Sequence, residues 1–411
     1  MTGPLVLIEP YAARLGGHHQ RTLVALAQAR PGSLVIAPHG VTREAVAALR
    51  EAGARLVTVP TGHPAAVLLA ASRLAVGLSA AGQRAFRSRR WPRLVRRLPH
   101  QITLIARCLT EASALRCARR LEPCPDAVVI LTASEALHGA AALLGGQRHL
   151  RFIHEAVTTE DTAVRLLGRL ARRGEQRVIA VYPTQAVGDQ FAAAFPHLPA
   201  VVRAFSVDDG CRLTDAERDG GRTAFDIPAA DAAVCLVGGW WPYKDIDVID
   251  AALARLQEPL HLLVVGEPLD EAVLERWRAR PQLRLHTVPG PVAESLLRLV
   301  YGAADAALVA RRPGVGKESG LVMDAARLGV SLIVSDHDPA LTSRLHGRPW
   351  ALTFTAGDPD GLAAALHALI RQPLKSPGPE APGLVGMWTA DEQADFLTRT
   401  FSSFTAKESR C

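Results

Sequence analysis

Short apolar, β-branched runs alternate with longer helical patterns through this chain, and the alternation plays out twice. That order constrains the fold strongly, because parallel strands cannot be joined by tight turns and need helical crossovers. In the first half, strands are predicted at Leu5–Glu9, Ser33–Pro38, Arg55–Val59, Ala127–Thr132, Arg151–His154, Val178–Tyr182 and Val201–Phe205. Helical stretches such as Gly17–Ala29 and Leu98–Leu121 lie between them. A loop rich in Asp, Gly and Arg runs from Ser206 to about Thr223, and the pattern then restarts. The second set of strands falls at Ala233–Val237, His261–Val265, Arg284–Thr287, Ala307–Ala310, Leu332–Ser335 and Ala351–Phe354. Helices are expected to begin near Asp245, Glu271, Val292, Glu318, Pro339 and Pro359. Residues 371–386 hold four prolines and three glycines and read as a linker before one last amphipathic helix.

A chain of 411 residues suits two such α/β domains rather than one core. With 48% hydrophobic and 21% charged residues, a disordered chain is excluded. The opening residues MTGPLVLIEPYAARLGG lack a basic n-region, so no signal peptide is expected. The most apolar long stretch, from Pro64, is interrupted by Arg73 and diluted by Ser and Gly, and is not expected to span a membrane. Six cysteines without a CxxC or zinc spacing read as free thiols of a cytoplasmic protein. The net charge of +7 is mostly arginine, with only four lysines. Its sharpest cluster, Arg84–Arg97, reads either as a solvated loop and helix start or as a contact for an anionic partner such as a membrane surface. No nucleic-acid partner is expected, since aromatic residues are only 5% and the remaining charge is dispersed.

Three strand-to-helix turns are candidates for chemistry. Gly16 and Gly17 follow the first strand, where glycines let main-chain amides approach an anion. The fingerprint GxGxxG is absent, which disfavours a nicotinamide enzyme. The restarting strand ends in Gly238-Gly239-Trp240-Trp241-Pro242-Tyr243-Lys244. Lys244 reads either as a phosphate-pairing point charge or as an exposed lysine at a helix start. The third turn, Arg311 to Asp324, fails the Walker spacing, because Arg311 and Glu318 stand where Gly and Ser/Thr are needed. What it keeps is glycines followed by free amides of Ser319, Gly320, Leu321 and Val322 at a helix start.

In this order, the glycine pair, the lysine, a strand ending Val264-Val265-Gly266-Glu267 and the run from Gly320 to Asp336 resemble the retaining glycosyltransferases of the GT-B fold, family four. The family run reads roughly E-G-F-G-L-x-x-x-E-A-x-A-x-G-x-P-V-V-x-S. The resemblance implies two Rossmann-like doubly wound domains facing a cleft: residues 1–206 for the acceptor, residues 207–375 for the donor, and 376–411 as linker and terminal helix crossing back to the first domain. It implies hexosyl transfer from a nucleotide-diphospho-sugar, most simply a UDP-sugar, with no other cofactor and no bound metal. The acceptor would be a small molecule or lipid-linked, and association with a membrane is compatible with it.

Carried over, the resemblance puts Gly16, Gly17, Gly239, Lys244 and Gly266 around the donor, with Lys317 and Ser319 to Val322 at its phosphates and sugar. Asp324 matches the glutamate that holds the ribose, while His154 and Glu155 match the histidine–acid pair near sugar and acceptor. Lys244 and Glu318 complete the catalytic set. Three positions depart from the family pattern. Gly238-Gly239-Trp240 replaces G-R-L, so one diphosphate contact is either lost or supplied by Arg311, Arg312 or Lys317; Asp324 is a methylene short; and either Glu318 takes the first glutamate's role through a loop two residues shorter or that contact is absent. Two rivals accompany the transferase reading: a same-fold nucleotide-sugar epimerase or non-sugar-joining transferase, and a non-catalytic nucleotide-sugar-binding partner.

Overall fold

A computed structural model describes residues 3–13, 18–58, 62–85, 92–133, 137–154 and 172–406. The chain forms two compact units. Among the described residues, the first comprises those up to Val207 other than His18 and resumes at Thr389, and the second comprises His18 and Asp208–Trp388.

The first unit is built on a seven-stranded parallel sheet of order β3-β2-β1-β4-β5-β6-β7. The strands are β1 (Leu5–Ile8), β2 (Leu34–Ile36), β3 (Arg55–Val57), β4 (Ala127–Ile130), β5 (His149–Phe152), β6 (Val178–Tyr182) and β7 (Ala200–Val202). Leu5 to Ile8 pair one-to-one with Ala127 to Ile130. All eight of these side chains are buried, the continuous apolar run expected when helices cover both faces of a parallel sheet. The terminal helix, Ala390–Ala406, completes this core with Ala394, Leu397 and Phe401.

After α1 (His18–Ala29) and α2 (Arg43–Glu51), two long helices, α3 (His63–Ala85) and α4 (Arg93–Leu121), pack on each other. The stretch from Pro64, read as too diluted for a membrane span, forms most of α3, a helix that by length and composition alone is long and apolar enough to cross a membrane.

The second unit carries a six-stranded parallel sheet of order β11-β10-β9-β12-β13-β14. Its strands are β9 (Ala233–Val237), β10 (Leu260–Gly266), β11 (Leu283–Pro289), β12 (Ala306–Val309), β13 (Ser331–Ser335) and β14 (Ala351–Phe354). Buried apolar side chains fill both faces.

Residues 376–388 do not act as the expected linker. A short helix, Ala381–Val385, buries Ala381, Pro382 and Val385 in the second unit, and Met387 follows them into its core. Arg212 donates to the carbonyls of Pro377 and Gly378, Arg344 to that of Val385. The prolines stiffen this segment for packing instead of loosening it. A two-residue strand, β8 (Val207–Asp208), pairs with β15 (Trp388–Thr389).

Candidate functional site

In an open parallel sheet, ligands bind beyond the carboxyl ends of strands where the strand order reverses. In the second unit that point lies between β9 and β12, so the segments after Val237 and after Val309 frame it. The two segments are stitched together by main-chain bonds, Asp245 N–H to Ala310 O at 3.1 Å and Arg312 N–H to Tyr243 O at 2.9 Å. An isolated antiparallel bridge joins Lys244 to Arg311.

Glycine is demanded where the turn after β9 meets the end of β10. A Cβ on Gly239 would lie 2.0 Å from the Glu267 carbonyl oxygen, and one on Gly266 2.6 Å from the Gly238 carbonyl carbon. This close approach, not a ligand contact, accounts for the geometry of both glycines.

Lys244 is not the exposed helix-start lysine of the simpler sequence reading. It is 7% exposed, and its Nζ donates to Val237 O at 2.6 Å and Gly238 O at 2.8 Å. An ammonium has three donors, so one remains for a ligand. Burial, reinforced by the Arg311 guanidinium, brings its pKa down to about 7.

Of the three candidates for the second cation, Arg311 is the buried one beside Lys244. Its guanidinium donates to Lys317 O at 2.7 Å and Glu318 O at 3.3 Å, holding the glycine-containing loop before the helix Gly320–Leu328. Arg312 turns away, to Pro242 O and Asp247. Lys317 Nζ sits 3.6 Å from the ring centroid of Tyr243, with Arg311 5.4 Å from it.

Ser319 caps this helix, its Oγ accepting from the Val322 N–H at 3.5 Å. The cap therefore takes the Val322 amide assigned to a ligand from sequence. The N–H groups of Gly320 and Leu321, at the first two helical positions, have no intrahelical partner. Asp324 is buried one turn further, its Oδ1 3.6 Å from Arg327 Nε, and Arg327 also binds Asp209 and Glu294. Two groups escaped the sequence reading. Ser335 Oγ accepts from the Arg311 N–H at 3.0 Å and lies 2.9 Å from His337 Nδ1. Burial and the nearby Arg311 hold His337 down at about 4, so it is neutral at neutral pH. No spacing motif announces either.

Gly16, Gly17 and Glu155 lie outside the described residues. His154, just past β5, has its Nε2 2.8 Å from Leu131 O and its ring edge-on to His19 and Phe205. His19 Nδ1 is 3.0 Å from Thr132 Oγ1, which donates to Glu9 Oε2 at 2.7 Å. Glu9 is fully buried. Glu9 and Thr132, at the ends of adjacent strands β1 and β4, were missed because only the strand order unites them with His154. A separate cavity of about 200 Å³ opens beside the turn after β1, lined in part by Tyr11, His39, Ser72, Arg107, Thr110 and Glu111.

Comparison with known proteins bears on the fold. Residues 231–372 match the family described as "Glycosyl transferases group 1". No curated protein matches the sequence. Among solved structures, the chain is similar to a glycosyltransferase from Rickettsia africae ESF-5, at 12% identity and a TM-score of 0.57 over 98% of this chain and 94% of that one. It is similar to Anabaena Alr3699/HepE in complex with UDP-glucose, at 12% identity and a TM-score of 0.59 over 99% and 100%. An alpha,alpha-trehalose-phosphate synthase (UDP-forming) from Burkholderia xenovorans gives 12% and 0.59 over 98% and 100%. The two Rossmann-like units therefore have the GT-B fold, and residues 231–372 of the second are similar to glycosyl transferases group 1.

Proposed function

We propose that the chain moves a hexosyl group from a UDP-sugar to a hydroxyl acceptor, with retention of configuration and without a bound metal. The observation that carries this reading is the buried Lys244–Arg311 pair at the strand-order switch, beside the start of the helix Gly320–Leu328. A leaving diphosphate gathers negative charge as the anomeric bond breaks. Fixed cations and helix-start amides stabilise that charge without reorganising.

Lys244 supplies its remaining N–H to the diphosphate, and Gly320 and Leu321 their amides. Arg311 adds the positive field that the family arginine otherwise provides, while its hydrogen bonds set the loop bearing Lys317 and Glu318. Asp324 serves the ribose hydroxyls, Gly266 and Gly239 shape the backbone around the donor, and His154, Glu155 and Glu318 serve the sugar and acceptor. Gly16 and Gly17 join them at the diphosphate. Retention needs no enzyme nucleophile if the leaving phosphate accepts the acceptor's proton as the new bond forms on the same face. The cavity beside Tyr11 and His39 is assigned to the acceptor.

UDP is favoured over other bases because the Anabaena and Burkholderia neighbours are named for UDP-glucose and UDP release. A thermal-shift series with UDP-, GDP-, TDP- and ADP-sugars tests the reading. A ligand at a hundred times its dissociation constant adds about 2.7 kcal/mol of stability. Stabilisation by the UDP member alone is expected, and no stabilisation by any member overturns the proposal.

A further inference from the structure

Helix α3 is built inside out. Its buried positions are Ala65, Leu69, Ser72 and Ser79. The two serines bond to α4: Ser72 Oγ to Ala106 O at 2.8 Å, and Ser79 Oγ to Pro99 O at 2.7 Å. Thr110 and Thr103 hydroxyls each lie 2.7 Å from these same oxygens. The larger aliphatic side chains face away, with Leu74 67% exposed, Leu78 55% and Val67 52%. A helix designed only to pack in a soluble core would bury those leucines and expose the serines.

The charge around this face is of one sign. Between Glu51 and Glu111 the chain has no Asp or Glu and ten arginines. Arg73, Arg84, Arg96 and Arg97 are exposed. A second copy meeting this face about a twofold axis would set arginine against arginine. A bilayer with anionic headgroups instead offers negative charge and an apolar layer at the same surface. Arg73, exposed midway along α3, together with the polar bonds to α4, suits a helix lying along such a surface rather than crossing it.

We infer that the outer face of α3, with its flanking arginines, docks the chain on an anionic membrane. Arg84, Arg96 and Arg97 belong to the basic cluster noted in the sequence; residues 86–91 of that cluster lie outside the described residues and take no part in the inference.

Co-sedimentation of the full chain with phosphatidylcholine vesicles, with and without phosphatidylglycerol, tests this. The chain is expected to pellet with the anionic vesicles only, and added salt should release it. Each arginine removed, by Arg84→Ala or Arg96→Ala, should weaken binding about fivefold. A Leu74→Glu, Leu78→Glu double variant should abolish binding and leave the melting temperature unchanged, since both positions are exposed. Absence of binding to anionic vesicles, equal binding to neutral ones, or full binding by the folded double variant overturns the inference. So does a dimer, seen by sedimentation velocity without vesicle binding and lost in the double variant, which would assign the face to a second copy.

Discussion

Lys244 and Arg311 stand opposite each other in a single antiparallel bridge, 7% and 5% exposed, each carrying its charge into the same corner of the second unit. Two buried cations side by side are unfavourable without an anion, and their carbonyl partners offset only part of the cost. On the function proposed above, the anion that completes the corner is the donor's diphosphate.

Lys244→Ala should impair both fold and turnover. Losing Nζ leaves the Val237 and Gly238 carbonyls without their donor, at a cost of about 1–3 kcal/mol. Turnover on the UDP-sugar should fall by roughly ten- to a hundredfold, the worth of a charge-assisted bond. Urea denaturation and steady-state kinetics separate the two effects. A destabilised variant with parental turnover would make Lys244 a purely structural residue.

UDP affinity should fall as pH rises above about 7. Lys244 titrates near 7 in the folded chain and, unfolded, near its ordinary 10.5. Between these values the unfolded chain holds the extra proton, so this group makes stability rise with pH across that window. A bound diphosphate favours the charged ammonium and draws a proton in. Calorimetry in buffers of differing ionisation enthalpy should register that uptake, and a flat affinity between about pH 6 and 9 would contradict the assignment.

Arg311 and Arg312 should behave oppositely although adjacent. Arg311→Ala removes buried bonds to the Lys317 and Glu318 carbonyls together with a charge at the site, and should weaken UDP binding by about tenfold or more. Arg311→Lys should recover it only in part, since a single ammonium nitrogen does not reproduce the two separate guanidinium nitrogens that reach Lys317 O and Glu318 O. Arg312 pairs with Asp247 at a half-exposed position, so Arg312→Ala should change stability by no more than about 0.5 kcal/mol. Equal losses in UDP affinity for the two alanine variants would remove Arg311 from the site.

Gly239→Ala and Gly314→Ala test close packing against backbone strain. The first drives a Cβ into the Glu267 carbonyl and should cost on the order of 3 kcal/mol or prevent folding. Gly314 has φ of +79° and open space around it, so its alanine variant should bear only the left-handed penalty of about 1–2 kcal/mol. Chemical denaturation of both variants should show this gap, and comparable stabilities would refute the close-approach account.

Many strands were legible because both sheets are covered on both faces, so that runs such as Leu5–Ile8 and Ala233–Val237 are unbroken and apolar. The offsets are small, as where Arg151–His154 became His149–Phe152. Helix α3 was harder to see, since its serines face inward and the usual amphipathic pattern is reversed. Proline content suggested a linker where Pro382 is in fact buried. At the site, Lys244 and the Ser319 helix start stood out by residue type and position. The burial of Lys244 did not, because its acceptors are main-chain carbonyls of its own turn. Glu9 and Thr132 come from separate strand ends, and only the order β2-β1-β4-β5 brings them near His154.

The return of the last helix to the first core has a consequence for synthesis on the ribosome. Residues up to Val207 emerge first, yet their core lacks Ala394, Leu397 and Phe401 until the chain is almost complete. At about 5–20 residues per second, the intervening stretch keeps that surface waiting for roughly 10–40 seconds. Apart from His18, made at the outset, the described part of the second unit is one run of chain, Asp208–Trp388, and can close in the meantime, so the half of the protein made first is the half that matures last. Nascent chains stalled before Ala390 should therefore hold the leading portion in a state open to chaperones and proteases.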